Sequence, residues 1–304
     1  MNVTTSSVRS RDGTTIGYWQ VGDGPGVIVL HGAMESARSH MELAGALAPT
    51  FTVYLPDRRG RGLSGPFGKE YSVQKEVEDM DALLTKTGAH RVFGVSSGAI
   101  IWLQAALTLP AIQEAAIFEP PFLTSRSMPT ALVKRFDDEI ARGRVAAALI
   151  TGMKAAQLGP LVFDLIPRWL LERLTQSMLA GEDKNAKADD ITVRMLAPTL
   201  RYDLQLVAES GGDLKGFKGI RAEVLLLGGS KSPAFLQAAL DALEKVLPHA
   251  KRVEFAGLGH TASGNSRDRM TGRGAQPSRV AEELRRFFDQ DECSSYERGE
   301  RIHD

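Results

Sequence analysis

The stretch that decides the fold is Arg91-Val92-Phe93-Gly94-Val95-Ser96-Ser97-Gly98-Ala99-Ile100. A short apolar run leads into a serine between two glycines, and an apolar helical pattern follows. Gly94 and Gly98 allow a sharp turn from a strand into a helix, since side chains at those positions would collide with neighbouring backbone. This G-x-S-x-G pattern predicts that Ser96 projects from the turn, while the backbone N–H of Ser97 faces a developing oxyanion.

Other short apolar runs have the same continuous form, and they lie at 26–30, 51–56, 115–118, 223–227 and 252–255. Strands of this kind are typical of a parallel sheet that is covered by helices on both faces. Amphipathic helical patterns lie between most of them, at 42–47, 73–85, 98–108, 234–246 and 279–288. A hairpin is predicted before them, because 8–11 and 15–19 flank the turn dipeptide Asp12-Gly13. The alternation predicts an α/β fold with a doubly wound, mostly parallel sheet.

The chain between 115–118 and 223–227 differs, because it has no convincing strand pattern. It shows helical patterns at 128–143, 144–153 and 167–179, followed by a polar stretch at 182–190 that predicts a loop. We therefore expect an inserted helical cap at 122–216, lying over the C-terminal edge of a core formed by 1–121 and 217–290. The charged tail at 291–304 is predicted to be disordered.

The composition is that of a globular protein without a polyanion partner. Among 304 residues, Lys and Arg total 37 and Asp and Glu total 37, so the formal net charge is zero and no basic footprint for nucleic acid appears. The one cysteine, Cys293, excludes an intrachain disulfide. The stretch 1–13 lacks the features of a signal peptide, and no apolar run approaches the roughly 18–20 residues that cross a bilayer. We expect a cytoplasmic protein that acts on a small molecule without a membrane partner; its oligomeric state is left open.

Four motifs together resemble the α/β-hydrolase family. In chain order they are His31-Gly32-Ala33, the segment DRRGRGLS at 57–64, the turn around Ser96, and Gly257-Leu258-Gly259-His260. Their order and spacing are similar to that family over residues 8–122 and 217–289. The resemblance implies an α/β-hydrolase fold in which the motifs meet beyond the carboxyl ends of the strands.

This resemblance implies roles for single residues. Ser96 would be the nucleophile, and His260, after the last predicted strand of the core, would be the base that accepts its proton. An oxyanion hole would combine the backbone N–H of Ser97 with that of Ala33, or with that of Met34 if the loop register differs. His31 and Asp57 would be structural, since the HG and DRRGRGLS segments chiefly hold loops in this family. No zinc-like spacing of His or Cys occurs, and no cofactor is predicted.

The third catalytic residue departs from the family's usual pattern. Family members usually carry an Asp after the penultimate strand, but the corresponding stretch 228–233 contains no carboxylate. Glu119 instead ends the strand that follows the helix after Ser96, and neighbouring strand ends would bring it within reach of His260. An acid in this position resembles many haloalkane dehalogenases and the fungal zearalenone lactone hydrolases, and the latter also use a serine in a G-x-S-S-G turn. The alternative for Glu119 is a carboxylate that anchors a loop before two prolines.

These features predict a cofactor-free serine hydrolase that cleaves a carboxylic ester or lactone through an acyl-enzyme. A serine in the turn argues against halide displacement and epoxide opening, which in this family require an aspartate. A cap rich in Ala, Leu, Ile and Phe indicates an apolar pocket for a medium-sized organic substrate, with Met34 and Trp169 as candidate lining residues. Packing is the alternative role for both residues. For the further cap aromatics Phe122, Phe163 and Tyr202 we favour packing, with substrate contact as the alternative. Hydrolysis of a carbon–carbon bond or a thioester stays open, as does a ligand-binding protein that does not catalyse.

Overall fold

The computed structural model describes residues 2–123, 128–156, 166–188, 190–267, 272 and 274–289. These residues form an eight-stranded sheet in the order β1-β2-β4-β3-β5-β6-β7-β8. The strands are β1 (Val3–Arg9), β2 (Thr15–Val21), β3 (Gly26–Leu30), β4 (Thr52–Pro56), β5 (Arg91–Val95), β6 (Glu114–Phe118), β7 (Glu223–Gly229) and β8 (Ala250–Phe255). The β1–β2 and β2–β4 pairs are antiparallel, and the pairs from β4 to β8 are parallel. The predicted mostly parallel sheet is confirmed.

Helices cover both faces of this sheet. They are α1 (Met41–Leu47), α2 (Val73–Thr87), α3 (Ser97–Ala106), α4 (Thr130–Ala141), α5 (Val145–Ala155), α6 (Arg168–Asn185), α7 (Val193–Leu196), α8 (Leu200–Ser210), α9 (Ala234–Glu244) and α10 (Pro277–Phe288). Successive strand residues face opposite sides, so Val92 packs in one core cluster with α2, α3 and α9, whereas Phe93 packs in the other with α1 and α10. Burial on both faces explains why β5 and β6 are continuously apolar or small along their centres.

The N-terminal hairpin is longer than the sequence pattern indicates. Gly13 occupies the predicted turn with a φ of 84°, but the pairing with β2 extends back to Val3 opposite Val21. Residues 3–7 are exposed, and 4–7 are all threonine or serine, so no apolar alternation marks them as a strand. Backbone hydrogen bonds at the edge of the sheet hold them instead.

The chain between β6 and β7, called the insertion below, carries the helices α4 to α8, and its described residues contain no strand. The predicted loop at 182–190 is wrong in its first part, because α6 continues to Asn185. Both carboxylate oxygens of Glu182 accept the backbone N–H of Val193 at 3.1 Å, so this polar turn is held by contacts that no helical pattern reveals. Phe163 and the tail 291–304 lie outside the described residues. Within those described, no helix is long and apolar enough to cross a membrane.

Candidate active site

Ser96 lies at the sharp turn between β5 and α3, with a φ of 54° and a ψ of −123°. The two glycines make this turn possible: a Cβ on Gly94 would lie 2.7 Å from the Gly98 carbonyl oxygen, and a Cβ on Gly98 would lie 2.6 Å from the carbonyl oxygens of Leu30 and His31. The Ser96 N–H donates to the carbonyl of Phe118 at 2.9 Å. Such a backbone is costly for a residue with a side chain and persists only where its surroundings enforce it.

Gly98→Ala is therefore expected to lower the free energy of unfolding by about 3 kcal/mol, because the contacts its methyl group would make are with backbone that cannot move aside. Urea unfolding at pH 7 measures the loss. Gly181→Ala, inside α6, is the matched control, since nothing lies within 4 Å of the added Cβ and alanine favours a helix. An equal effect of the two substitutions would contradict the steric argument.

His260 and Glu119 meet as the sequence predicts. The His260 Nδ1 lies 2.7 Å from Glu119 Oε2, and Glu119 Oε1 accepts the backbone N–H of Gly229 at 2.7 Å. Glu119 is fully buried at the end of β6, and β7 lies between β6 and β8. The Glu119 side chain therefore passes the end of β7 to reach His260. Glycine at 228 leaves room for it, since a Cβ there would approach Glu119 Oε1 to 3.2 Å.

Ser96 and His260 line one cavity of about 870 Å³, and Ala33, Met34 and Ser97 line it as well. The core and the insertion both contribute to its wall. Among the described residues other than glycine, those with a positive φ are Met34, Ser96 and Glu119, at 58°, 54° and 46°. Each was singled out from the sequence, and backbone strain of this kind collects at functional sites.

Trp169 does not line this cavity, which corrects its prediction as a substrate-binding residue. It is 62% exposed near the start of α6, and the buried residue of that turn is Leu171, about 200° further round the helix. Phe122 and Tyr202, the other cap aromatics that the structure describes, do not line the cavity and pack against neighbouring rings. Phe122 lies against Phe217 with ring centroids 5.5 Å apart, and Tyr202 stacks on Phe67 at 3.6 Å.

Glu35 is a cavity residue that the sequence analysis missed. Its Oε2 accepts the backbone N–H of Gly32 at 2.7 Å and lies 3.1 Å from Nε2 of the buried His40. Burial opposes ionisation, but His40 and the Gly32 N–H together hold the pKa of the Glu35 carboxyl below its ordinary value of 4.5. Its position in the sequence could have identified it, because Glu35 comes shortly after β3, at the carboxyl edge of the sheet where ligands bind.

Because the folded protein lowers the pKa of Glu35, the ionised carboxylate stabilises the fold above about pH 4.5 and this stabilisation is lost as the pH falls. Glu35→Gln lacks the titrating group. The difference in free energy of unfolding between wild type and Glu35→Gln is therefore expected to be largest near pH 7 and to shrink below about pH 4.5. Urea unfolding across that range measures it, and a difference that stays constant down to pH 3 would contradict this account.

His31 and Asp57 make the structural contacts that the resemblance implies. Asp57 accepts the backbone N–H of Ala37 at 2.8 Å and that of Leu63 at 3.0 Å, which ties two loops together. The backbone N–H of Arg58 donates to His31 Nε2 at 3.2 Å. Burial, together with the nearby charges of two arginines, lowers the pKa of His31 well below its usual range, so the ring is neutral. Because Nε2 accepts the Arg58 N–H, the proton of the ring is on Nδ1.

A group of buried charges, the arginine–carboxylate cluster, borders the cavity, whose wall includes Asp203, and the sequence analysis missed it. Its members are Arg58, Arg61, Glu76 and Asp203, each at most 3% exposed. Arg58 pairs with Glu76 at 2.7 Å and with Asp203 at 2.8 Å, and Arg61 pairs with Asp203 at 2.5 Å. Burial opposes ionisation of Asp203, yet the two arginines hold the pKa of its carboxyl below the usual range.

The described residues contain no group of three or more His, Cys, Asp or Glu side chains able to hold a metal ion. A sequence model described as the alpha/beta hydrolase family matches residues 27–271. The chain belongs to the α/β-hydrolase family.

The uncharacterized hydrolase YraK of Bacillus subtilis (strain 168) is 33% identical to this chain over 115 residues, which are 36% of this chain and 42% of YraK. The solved structure of an α/β hydrolase from Sphaerobacter thermophilus DSM 20745 is similar over 93% of this chain and all of that one, with 30% identity and a TM-score of 0.73. A thermophilic esterase from Thermogutta terrifontis shares the fold at 16% identity, with a TM-score of 0.65 over 94% of this chain and 98% of that one.

Proposed function

We propose that this α/β hydrolase is a cofactor-free serine hydrolase that cleaves a carboxylic ester or lactone through an acyl-enzyme. The observation that carries the proposal is the 2.7 Å contact between His260 Nδ1 and Glu119 Oε2, beside a strained Ser96 that lines the same cavity. With Nδ1 engaged by the carboxylate, Nε2 is the nitrogen available to accept a proton. A serine in this setting is activated for attack on a carbonyl carbon.

In the proposed reaction, Ser96 Oγ attacks the carbonyl carbon while its proton passes to His260 Nε2. The resulting oxyanion accepts hydrogen bonds from the backbone N–H groups of Ser97 and Ala33, with Met34 as the alternative to Ala33. Collapse of the tetrahedral intermediate expels the alcohol, which takes the proton from His260. Water then attacks the acyl-enzyme while His260 accepts its proton. The second tetrahedral intermediate breaks its bond to Ser96 Oγ, which takes the proton back from His260 as the acid is released.

Glu119 orients His260 and stabilises its charged form during these steps. The burial of Glu119 supports this role, because a carboxylate away from water interacts more strongly with the imidazolium. The Gly229 N–H fixes the second oxygen of the carboxylate and so limits rotation of the acid. The proposal therefore combines both readings of Glu119, since the same side chain anchors the end of β7 and faces His260.

The cavity supports a medium-sized, largely apolar substrate. Its volume of about 870 Å³ lies within the range of small-molecule sites. Met34, Leu123, Met153, Leu204 and Phe235 are among its lining residues. A lactone is included because of the resemblance to zearalenone lactone hydrolases, which rests on the position of one acid and one G-x-S-S-G turn.

The test uses a fluorophosphonate probe, because it reports an activated serine without knowledge of the substrate. Wild type and Ser96→Ala are incubated with the probe, and intact mass is recorded. One adduct on the wild type, absent from Ser96→Ala, is the expected result. A folded wild type that takes up no probe would overturn the proposal and favour a ligand-binding protein.

A substrate panel then separates the acyl bonds. Esters and lactones of increasing size are compared with thioesters and with carbon–carbon substrates that have a ketone at the cleaved bond. Preferred turnover of esters or lactones supports the proposal. Preference for the carbon–carbon substrates, with the same dependence on Ser96, would overturn the ester assignment and keep the serine mechanism.

A further inference from the structure

We infer that the arginine–carboxylate cluster orients both backbone donors of the oxyanion hole. Because Asp203 belongs to the insertion, this orientation depends on the insertion. The inference rests on the proposed function, since it concerns the hole that holds the intermediate. Two arms lead from the cluster to the site, one to Ser97 and one to the peptide group between Gly32 and Ala33.

The first arm reaches the start of α3. The Ser97 hydroxyl donates to Asp203 Oδ1 at 2.9 Å and accepts from Arg58 Nη1 at 2.9 Å. Ser97 is the first residue of α3, and the first N–H groups of a helix have no partner within it. With its side chain held on both sides, the Ser97 backbone cannot turn its N–H away from the cavity without breaking these bonds.

The second arm reaches the turn after β3. The carbonyl oxygen of Gly32 accepts from Arg61 Nη1 at 3.2 Å and from His31 Nδ1 at 2.9 Å. This carbonyl and the Ala33 N–H belong to one peptide group, which is trans, so the two point in opposite directions. Holding the carbonyl toward Arg61 therefore directs the Ala33 N–H away from the cluster. The positive charge at the carbonyl also polarises the peptide and strengthens the N–H as a donor.

Asp203 joins the two arms, and it comes from the insertion. It pairs with Arg58 on the first arm and with Arg61 on the second. Thr199, also in the insertion, accepts from Arg61 Nε at 3.2 Å. Buried ion pairs are poor stabilisers, because their desolvation offsets their attraction. The cluster also contacts Ser97 and the Gly32 carbonyl, so we assign it the role of orienting the two N–H donors rather than of stabilising the fold.

Asp203→Asn is expected to lower kcat on p-nitrophenyl butyrate by about 10²-fold, with KM changed less than about threefold, because the oxyanion forms only after binding. The second readout is inhibition by an alkyl trifluoromethyl ketone. Ser96 Oγ adds to its carbonyl carbon, the proton passes to His260, and the oxyanion enters the hole. Affinity for this ketone should fall by the same factor as kcat, whereas affinity for the matching methyl ketone should stay within about threefold.

Glu139→Gln is the matched control. Glu139 is a buried carboxylate of the insertion that accepts from Thr151 at 2.6 Å and from Arg168 at 2.7 Å, and it does not line the cavity. We expect it to lower stability without changing kcat or ketone affinity. Ser97→Ala removes only the hydrogen bonds of the first arm and changes a small side chain, so it tests the inference if Asp203→Asn does not fold. We expect kcat and affinity for the trifluoromethyl ketone each to fall by about tenfold.

The outcomes separate this inference from the proposed function. If wild type reacts with the fluorophosphonate and Asp203→Asn retains kcat within about twofold, the positioning role is overturned and the proposed function stands. An equal loss in Glu139→Gln, or equal losses for the trifluoromethyl and methyl ketones, would also overturn it, since general destabilisation would then explain the effect. A wild type that is not labelled would overturn both.

Discussion

Ser96→Ala is expected to lower kcat on an ester substrate by about 10⁶-fold while KM changes little, because the variant keeps the cavity and loses the atom that attacks. The remaining rate would come from binding and from the backbone donors around the oxyanion. Turnover of p-nitrophenyl butyrate, with burst kinetics to detect the acyl-enzyme, measures the change.

The matched control for this loss is Ser210→Ala. Ser210 is a buried serine at the end of α8 that does not line the cavity. Its replacement should leave kcat within about twofold, as expected for a change outside the site. If Ser96→Ala keeps more than a hundredth of wild-type turnover, a different nucleophile or direct attack by water must carry the reaction.

The second large effect is expected at Glu119. Glu119→Gln should lower kcat by about 10⁴-fold, because the amide can donate a hydrogen bond to His260 Nδ1 and so stabilise the tautomer with its proton on Nε2. That tautomer cannot accept the proton of Ser96. The substitution keeps an oxygen for the Gly229 N–H, so the end of β7 should be little disturbed. Steady-state kinetics and thermal unfolding, measured together, test both statements.

Glu139→Gln is also the control for Glu119→Gln, since it makes the same chemical change at a buried carboxylate that does not line the cavity. If Glu119→Gln retains activity within tenfold, Glu119 is a loop anchor and not the acid of the reaction. Glu35 is then the next carboxylate to examine, because it lines the same cavity and interacts electrostatically with His260.

Local patterns predicted the features that depend on local geometry. The glycines around Ser96 identified a sharp turn, and continuous apolar runs identified parallel strands. The meeting of Glu119 with His260 followed from a rule about sheets, since the strands that precede them end at the same edge. These predictions needed only residues close in sequence or a topology common to the whole fold.

The features that were missed depend on side chains far apart in the chain. Arg58 and Asp203 are 145 positions apart, and no spacing within one sequence links them. The error at Trp169 has a different cause, the phase of a helix: the pattern located the helix but not the face that turns inward. The error at 182–185 has a third cause. This polar stretch was predicted as a loop, but it is the last turn of α6, where Glu182 accepts the backbone N–H of Val193.

The pairing of core arginines with a carboxylate of the insertion also has an evolutionary consequence. Exchange of the insertion for that of a relative would be a direct route to a new substrate range, since this segment supplies much of the cavity wall. A graft without a carboxylate at the position of Asp203 would leave Arg61 buried without its ion-pair partner, a defect that typically costs several kcal/mol. Natural or designed recombination at this boundary should therefore favour donors that bring an acid to this position, or recipients that have lost Arg61 first.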